Sequence, residues 1–124
     1  MPERKRRILC AEARQEIADL IVLMLEEKGY QVRTMQTVTE TLAVAQEEMF
    51  DLFIINDGYV DGDSLELLEK LREAFPATPA LLFSLRGASQ HQNTAQETAE
   101  HYYTVKTSDF VSLVQTIDKM LQAG

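Results

Sequence analysis

The stretch Asp51-Leu52-Phe53-Ile54-Ile55-Asn56 holds four consecutive apolar residues between two polar ones. A second run of the same kind is Ala80-Leu81-Leu82-Phe83. Apolar runs without alternation are typical of strands that helices cover on both faces, as in parallel sheets. The two runs therefore predict central strands of a parallel sheet.

Around these runs, short strands alternate with stretches of helical spacing. Further strands are predicted at 8–11, 30–35 and 102–105. The first helix is expected to end at Gly29, and the capping-box sequence Thr37-Val38-Thr39-Glu40 opens a second helix that runs through Glu48. A third helix follows the first central strand. The segment 90–99, in the place of a fourth helix, is expected to be short or mobile, and Thr107 or Ser108 caps the last helix. The inner stripe of the second helix is predicted to be Val38, Leu42, Ala45 and Met49.

Five strands alternating with helices predict an α/β fold, a doubly wound five-stranded parallel sheet of (βα)5 type with strand order 2-1-3-4-5. The 124 residues suit a single domain, 1–124. In such sheets, functional residues lie beyond the carboxyl ends of the strands. The residues found there are Glu12, Ala13, Asn56, Ser84 and Lys106.

Composition and charge exclude several classes of protein. The chain has 12 Lys and Arg against 20 Asp and Glu, a net charge of -8, which disfavours binding to nucleic acid or to anionic membranes. Its apolar runs are too short to span a bilayer, and its basic start is not followed by a secretory h-region. We therefore expect a cytoplasmic protein, in which the single Cys10 is a small buried hydrophobe.

The strand ends resemble those of the receiver domain of bacterial two-component response regulators. Residues 51–56 resemble the family's third strand with its terminal phosphoacceptor position, and 63–68 resemble the start of its third helix. Ser84 falls at the family's hydroxyl position, Lys106 at its lysine, and Tyr103 at its switch aromatic. The resemblance covers essentially the whole chain and implies the flavodoxin-like architecture of receivers.

The chemistry of the site departs from this family. Receiver phosphorylation needs an Asp nucleophile, two further acids and Mg²⁺, but Asn56 holds the acceptor position and Glu12 is followed by Ala13. A single carboxylate holds a hard cation poorly, so we expect no cofactor and weak or absent Mg²⁺ binding. Further departures are Val60, Leu85 and Thr107.

The remaining polar residues have plainer interpretations. We expect Lys106 to pair with Glu12 and Ser84 to bond a neighbour. His91 and His101 lack companion ligands at metal spacing. The loop acids Asp57, Asp61 and Asp63 are expected to be solvated turn residues.

Taken together, the residues and the resemblance predict a pseudo-receiver: a non-enzymatic signalling module that needs no phosphorylation and acts by protein–protein interaction. The partner is expected to be a histidine kinase or another signalling protein, and a homodimer stays open. Docking is expected on the face of the last two helices and the fifth strand, or on the first helix. The alternative is a phosphoacceptor that uses Asp57 in a shifted site, which needs a bulge because successive strand residues face opposite ways.

Overall fold

The computed structural model describes residues 5–56, 58–83, 102–105 and 110–122. Strands alternate with helices along these residues, as the sequence predicts. The strands are β1 (Arg7–Ala11), β2 (Gln31–Met35), β3 (Leu52–Ile55), β4 (Ala80–Phe83) and β5 (Tyr102–Val105), and the helices are α1 (Gln15–Glu27), α2 (Val38–Glu47), α3 (Ser64–Ala74) and α4 (Phe110–Gln122). The segment 90–99 and the predicted caps Thr107 and Ser108 lie outside the described residues.

All neighbouring strands pair in parallel, in the order β2-β1-β3-β4-β5. Every residue of β3 and β4 is buried, because helices cover both faces of the sheet. The predicted doubly wound fold and its strand order are confirmed.

Each face of the sheet has its own hydrophobic layer. On one face, Leu9, Phe53 and Ile55 pack against α2 and α3. On the other face, Cys10 and Ile54 pack with α1 and α4. Cys10 is fully buried, as predicted, and burial, followed by the nearby charge of Glu12, raises the pKa of its thiol. No described helix is long and apolar enough to cross a membrane.

The second helix differs from its prediction at its carboxyl end. The helix stops at Glu47, and the backbone of Glu48 is extended (φ -133°, ψ 156°). The Glu48 carboxylate accepts hydrogen bonds from Arg7 of β1 and Arg33 of β2. These contacts accompany the turn of the chain out of the helix, so Met49, predicted to face inward, is 82% exposed.

Candidate functional site

The carboxyl ends of β1 and β3 bring two predicted site residues together. The parallel register pairs Ala11 with Ile55, so the residues that follow, Glu12 and Asn56, lie side by side. Both are buried, and the Nδ2 of Asn56 donates a hydrogen bond to Oε1 of Glu12. A buried amide and a buried carboxylate thus occupy the switch point of the sheet.

The position after Glu12 offers no polar group to the site. Ala13 is half-buried and packs against the layer formed with α2 and α3. Its methyl group can neither bind a cation nor repel one. Among the described residues, no group of three or more His, Cys, Asp or Glu side chains could hold a metal ion.

Arg14 is a site residue that the sequence analysis missed. Its backbone N–H donates a hydrogen bond of 2.9 Å to Oε2 of Glu12, and its Nε lies 3.7 Å from the same oxygen. The Arg14 side chain is 44% exposed, whereas that of Glu12 is fully buried. The guanidinium group therefore contacts both the buried carboxylate and solvent. The available sequence signal was a basic residue two positions after Glu12.

Tyr59 is a second residue that the sequence analysis missed. Its hydroxyl donates a 2.6 Å hydrogen bond to the backbone oxygen of Ala11 and accepts one of 3.0 Å from the backbone N–H of Asn56. Its ring is 8% exposed and belongs to the hydrophobic layer of α2 and α3. The hydroxyl therefore joins the ends of β1 and β3 directly beneath the site.

Two loop acids predicted to be solvated turn residues are exposed and also accept hydrogen bonds at helix starts. Asp61 accepts hydrogen bonds from the backbone N–H groups of Val38 (2.8 Å) and Thr39 (2.9 Å), and from the Thr39 hydroxyl. Asp63 accepts a 2.8 Å hydrogen bond from the backbone N–H of Glu66 at the start of α3. Both residues are exposed, as predicted, and they accept these hydrogen bonds because a turn acid can satisfy the open N–H groups at a helix start. Asp61 thereby ties the β3–α3 loop to α2.

The loop also approaches α2 closely at Gly62. A Cβ atom at this position would lie 2.9 Å from Oε1 of Glu66 and 3.1 Å from Cγ2 of Val38. Any side chain larger than hydrogen would push against the Val38 side chain, which is buried. Glycine therefore permits the close contact that Asp61 holds in place.

We expect Asp61→Ala to destabilise the protein in a pH-dependent manner. The hydrogen bonds from Thr39, then Val38, lower the pKa of the Asp61 carboxyl. The ionised group therefore stabilises the fold at any pH above its unfolded pKa of about 3.9, and this contribution is lost as the pH falls through the lower folded value. Urea unfolding should give a smaller free energy for the variant at pH 7 and a smaller difference from wild type at about pH 2.5.

The matched control for this experiment is Glu69→Gln, which removes one exposed charge from α3. Its free energy of unfolding should stay within about 0.5 kcal/mol of wild type at both pH values. An Asp61→Ala difference that is equally large at both pH values would show that the charge of Asp61 contributes nothing.

Of the other predicted site residues, the structure places only the backbone of Tyr103. Asp57, Ser84 and Lys106 lie outside the described residues, and so does the predicted ion pair of Lys106 with Glu12. Tyr103 lies in β5, where its backbone pairs with Leu81. Its role as a switch aromatic stays a prediction.

Comparison with known proteins gives a family match over most of the chain. A sequence profile described as the response regulator receiver domain matches residues 8–118. The transcriptional regulatory protein YkoG of Bacillus subtilis, described as uncharacterised, is 28% identical over 118 residues, which cover 95% of this chain and 52% of YkoG. This chain spans about half the length of YkoG and of the regulatory protein VanRc of Enterococcus gallinarum.

Solved structures share the fold. A CheY-like response regulator receiver domain protein from Methanospirillum hungatei superposes with a TM-score of 0.81 at 25% identity, covering 98% of this chain and all of the other. The response regulator TrrA of Thermotoga maritima, solved with Mg²⁺-BeF, gives 0.81 at 23% identity and covers 93% of this chain and 98% of its own. TrrA has also been solved in complex with the histidine kinase ThkA, and that structure matches with a TM-score of 0.80 at 22% identity, covering 94% of this chain and 98% of the other.

Proposed function

Because this chain belongs to the response regulator receiver domain family, we propose that it is a pseudo-receiver that signals through protein–protein interaction without being phosphorylated. The observation that carries the proposal is the buried amide of Asn56 at the acceptor position, hydrogen-bonded to Glu12. The proposed module has no enzymatic activity and is located in the cytoplasm.

The chemistry of an amide supports the loss of phosphoryl transfer. Phosphorylation of an aspartate requires an anionic carboxylate oxygen to attack phosphorus. The side-chain oxygen of Asn56 carries no full charge, and its nitrogen lone pair is delocalised. Its N–H group is engaged with Glu12. Asn56 therefore acts as a hydrogen-bond donor in the site, and a nucleophile is absent at that position.

The donor set of the site also fits Mg²⁺ poorly. Mg²⁺ demands near-octahedral oxygen coordination and is commonly held by one or two carboxylates together with phosphate oxygens and water. Here Glu12 is a single carboxylate, and its two oxygens already accept hydrogen bonds from Asn56 and Arg14. Ala13 supplies no oxygen from its side chain. Weak or absent Mg²⁺ binding is therefore part of the proposed function.

Helix α1 is the proposed docking surface for the partner. Leu20 and Leu23 are 44% and 59% exposed on this helix, although its other apolar residues are buried or half-buried. The helix carries the acids Glu16, Asp19, Glu26 and Glu27 and no Lys or Arg. An exposed apolar pair with an acidic surround fits a partner surface that is apolar with a basic rim. We propose a histidine kinase as that partner, because the structural neighbour TrrA has been solved in complex with one.

The test measures the affinity of this protein for the purified cytoplasmic portions of histidine kinases from the source organism. Leu23→Glu should weaken the interaction at least about ten-fold in calorimetry, since it places a charge in the apolar contact. Addition of acetyl phosphate and Mg²⁺ should change neither the affinity of the wild type nor its intact mass.

Val111→Glu is the matched variant, because Val111 is 63% exposed on α4, the other candidate face. It should bind as tightly as the wild type. A loss confined to Val111→Glu would move the docking site to α4. Phosphoryl incorporation into the wild type, for instance at Asp57, would overturn phosphorylation independence and support the alternative acceptor.

A further inference from the structure

Glu12 is a buried charge whose contacts require explanation. The side chain is fully buried, and removal of an ionised carboxylate from water is unfavourable unless cations or hydrogen-bond donors replace the water. Oε1 accepts a hydrogen bond from the neutral amide of Asn56. Oε2 faces Arg14, whose backbone N–H lies at 2.9 Å and whose Nε lies at 3.7 Å. Arg14 thus supplies positive charge to the second oxygen.

The local backbone holds Arg14 in this position. Its backbone is extended (φ -101°, ψ 121°) immediately before α1, and its carbonyl oxygen accepts a 3.0 Å hydrogen bond from Ala18 in the first turn. The N–H bond to Oε2 and the helix start therefore fix Arg14 on both sides. From this position the Arg14 side chain extends back to the Glu12 carboxylate.

The balance of charges at the site indicates the role of the contact between Arg14 and Glu12. At the three positions where the family resemblance implies acids, this chain carries Glu12, Ala13 and Asn56, which together hold one negative charge. One guanidinium balances that charge, whereas a divalent cation beside Arg14 would leave the cluster with two excess positive charges. Resting on the function proposed above, we propose that Arg14 is a built-in counter-ion of Glu12 that replaces a divalent metal ion in this site and excludes one.

The proposal is tested by the affinity of the site for Mn²⁺, measured by electron paramagnetic resonance of the free ion. Arg14→Gln should bind Mn²⁺ about ten-fold more tightly than the wild type, the order expected when a unit positive charge a few ångströms from a divalent cation is removed in a water-like dielectric. The same gain should appear on comparing Ala13→Asp with Ala13→Asp/Arg14→Gln, where a second carboxylate brings binding into an easily measured range.

Two matched variants separate position from total charge. Arg72→Gln removes one exposed positive charge from α3 and should leave Mn²⁺ affinity within about two-fold of wild type, because long-range charge is screened by salt. Arg14→Lys keeps a cation at the site and should stay close to wild type. This rescue by Lys distinguishes a counter-ion from a residue that only shapes the loop.

Equal Mn²⁺ affinities of the Arg14→Gln and Arg72→Gln variants would overturn the proposal, as would an Arg14→Lys variant that behaves like Arg14→Gln. Circular dichroism of each variant establishes that it is folded before titration, and if Arg14→Gln does not fold, Arg14→Met, which keeps a long side chain without the charge, takes its place. These outcomes are independent of whether the wild type incorporates phosphate, which tests the proposed function.

Discussion

Asn56→Asp combined with Ala13→Asp is expected to make the protein accept a phosphoryl group from acetyl phosphate, whereas we expect the wild type to accept none. Asn56→Asp alone should label poorly, and the double variant should label about ten-fold more, in the presence of Mg²⁺ only. Intact-mass spectrometry measures the gain of one phosphoryl group in each variant. The expected change is large because a nucleophile and a metal site are both restored.

The reason for requiring both substitutions is electrostatic. The Asn56 amide contacts Oε1 of Glu12, so an Asp at position 56 places two carboxylates within hydrogen-bond distance. Like charges this close raise the pKa of one group, which keeps that carboxyl protonated and not nucleophilic. A divalent cation relieves the repulsion and neutralises the phosphoryl oxygens, but it needs a further acid such as Asp at position 13 to hold it.

Controls for the restoration are Ala13→Asp alone and the double variant with EDTA, neither of which should gain mass. Arg14→Gln added to the double variant should raise the yield again if the guanidinium competes with the metal. A folded double variant that binds Mg²⁺ and still gains no mass would show that the missing carboxylates are not what the site lacks. Label in the wild type at Asp57 would favour the alternative acceptor.

Tyr59→Ala is expected to lower the free energy of unfolding by about 3–5 kcal/mol, the range found when a large buried aromatic is truncated. The ring is 8% exposed within the layer of α2 and α3, so its loss leaves a cavity. Its hydroxyl also bonds the backbone of Ala11 and Asn56. Since small domains are stable by about 5–15 kcal/mol, this substitution takes a large part of the total. Urea unfolding followed by circular dichroism gives the value.

Tyr59→Phe separates the ring from the hydroxyl. It should lower the free energy of unfolding by about 1 kcal/mol. The loss is small because the backbone N–H of Asn56 also donates to the backbone oxygen of Ala11 at 3.2 Å, so it retains an acceptor after the hydroxyl is removed. Met49→Ala, at an 82% exposed side chain, should stay within about 0.5 kcal/mol of wild type. A Tyr59→Ala variant as stable as Met49→Ala would show that the packing of the Tyr59 ring does not stabilise the fold.

The fold could be predicted because its signals are local. The apolar runs at 52–55 and 80–83 are buried on both faces of the sheet, and Gly29, with φ of 94°, follows the end of α1 as expected. The hydroxyl of Thr37 accepts the predicted hydrogen bond from the N–H of Glu40. Such features depend on residue spacing and backbone conformation, which are readable along the chain.

The inner face of α2 could be predicted only in part. Helical spacing places Val38 and Ala45 inside, and both are buried. The same spacing continued to Met49 fails, because the helix has ended before that residue. Periodicity gives the face of a helix, but it does not show that Glu48, just beyond the end of α2, contacts the distant residue Arg33.

The sequence by itself determined which groups the site lacks, since Asn56 and Ala13 are not acids in any conformation. Only the tertiary structure decided which other side chains contact the site and its supporting loops. The guanidinium of Arg14 reaches Glu12, and the hydroxyl of Tyr59 joins the ends of β1 and β3. Asp61 caps a helix 22 residues away in sequence, at Thr39. Side-chain partners of this kind depend on how loops return to the sheet edge, and the free energy of burying polar groups selects them only after the strands have assembled.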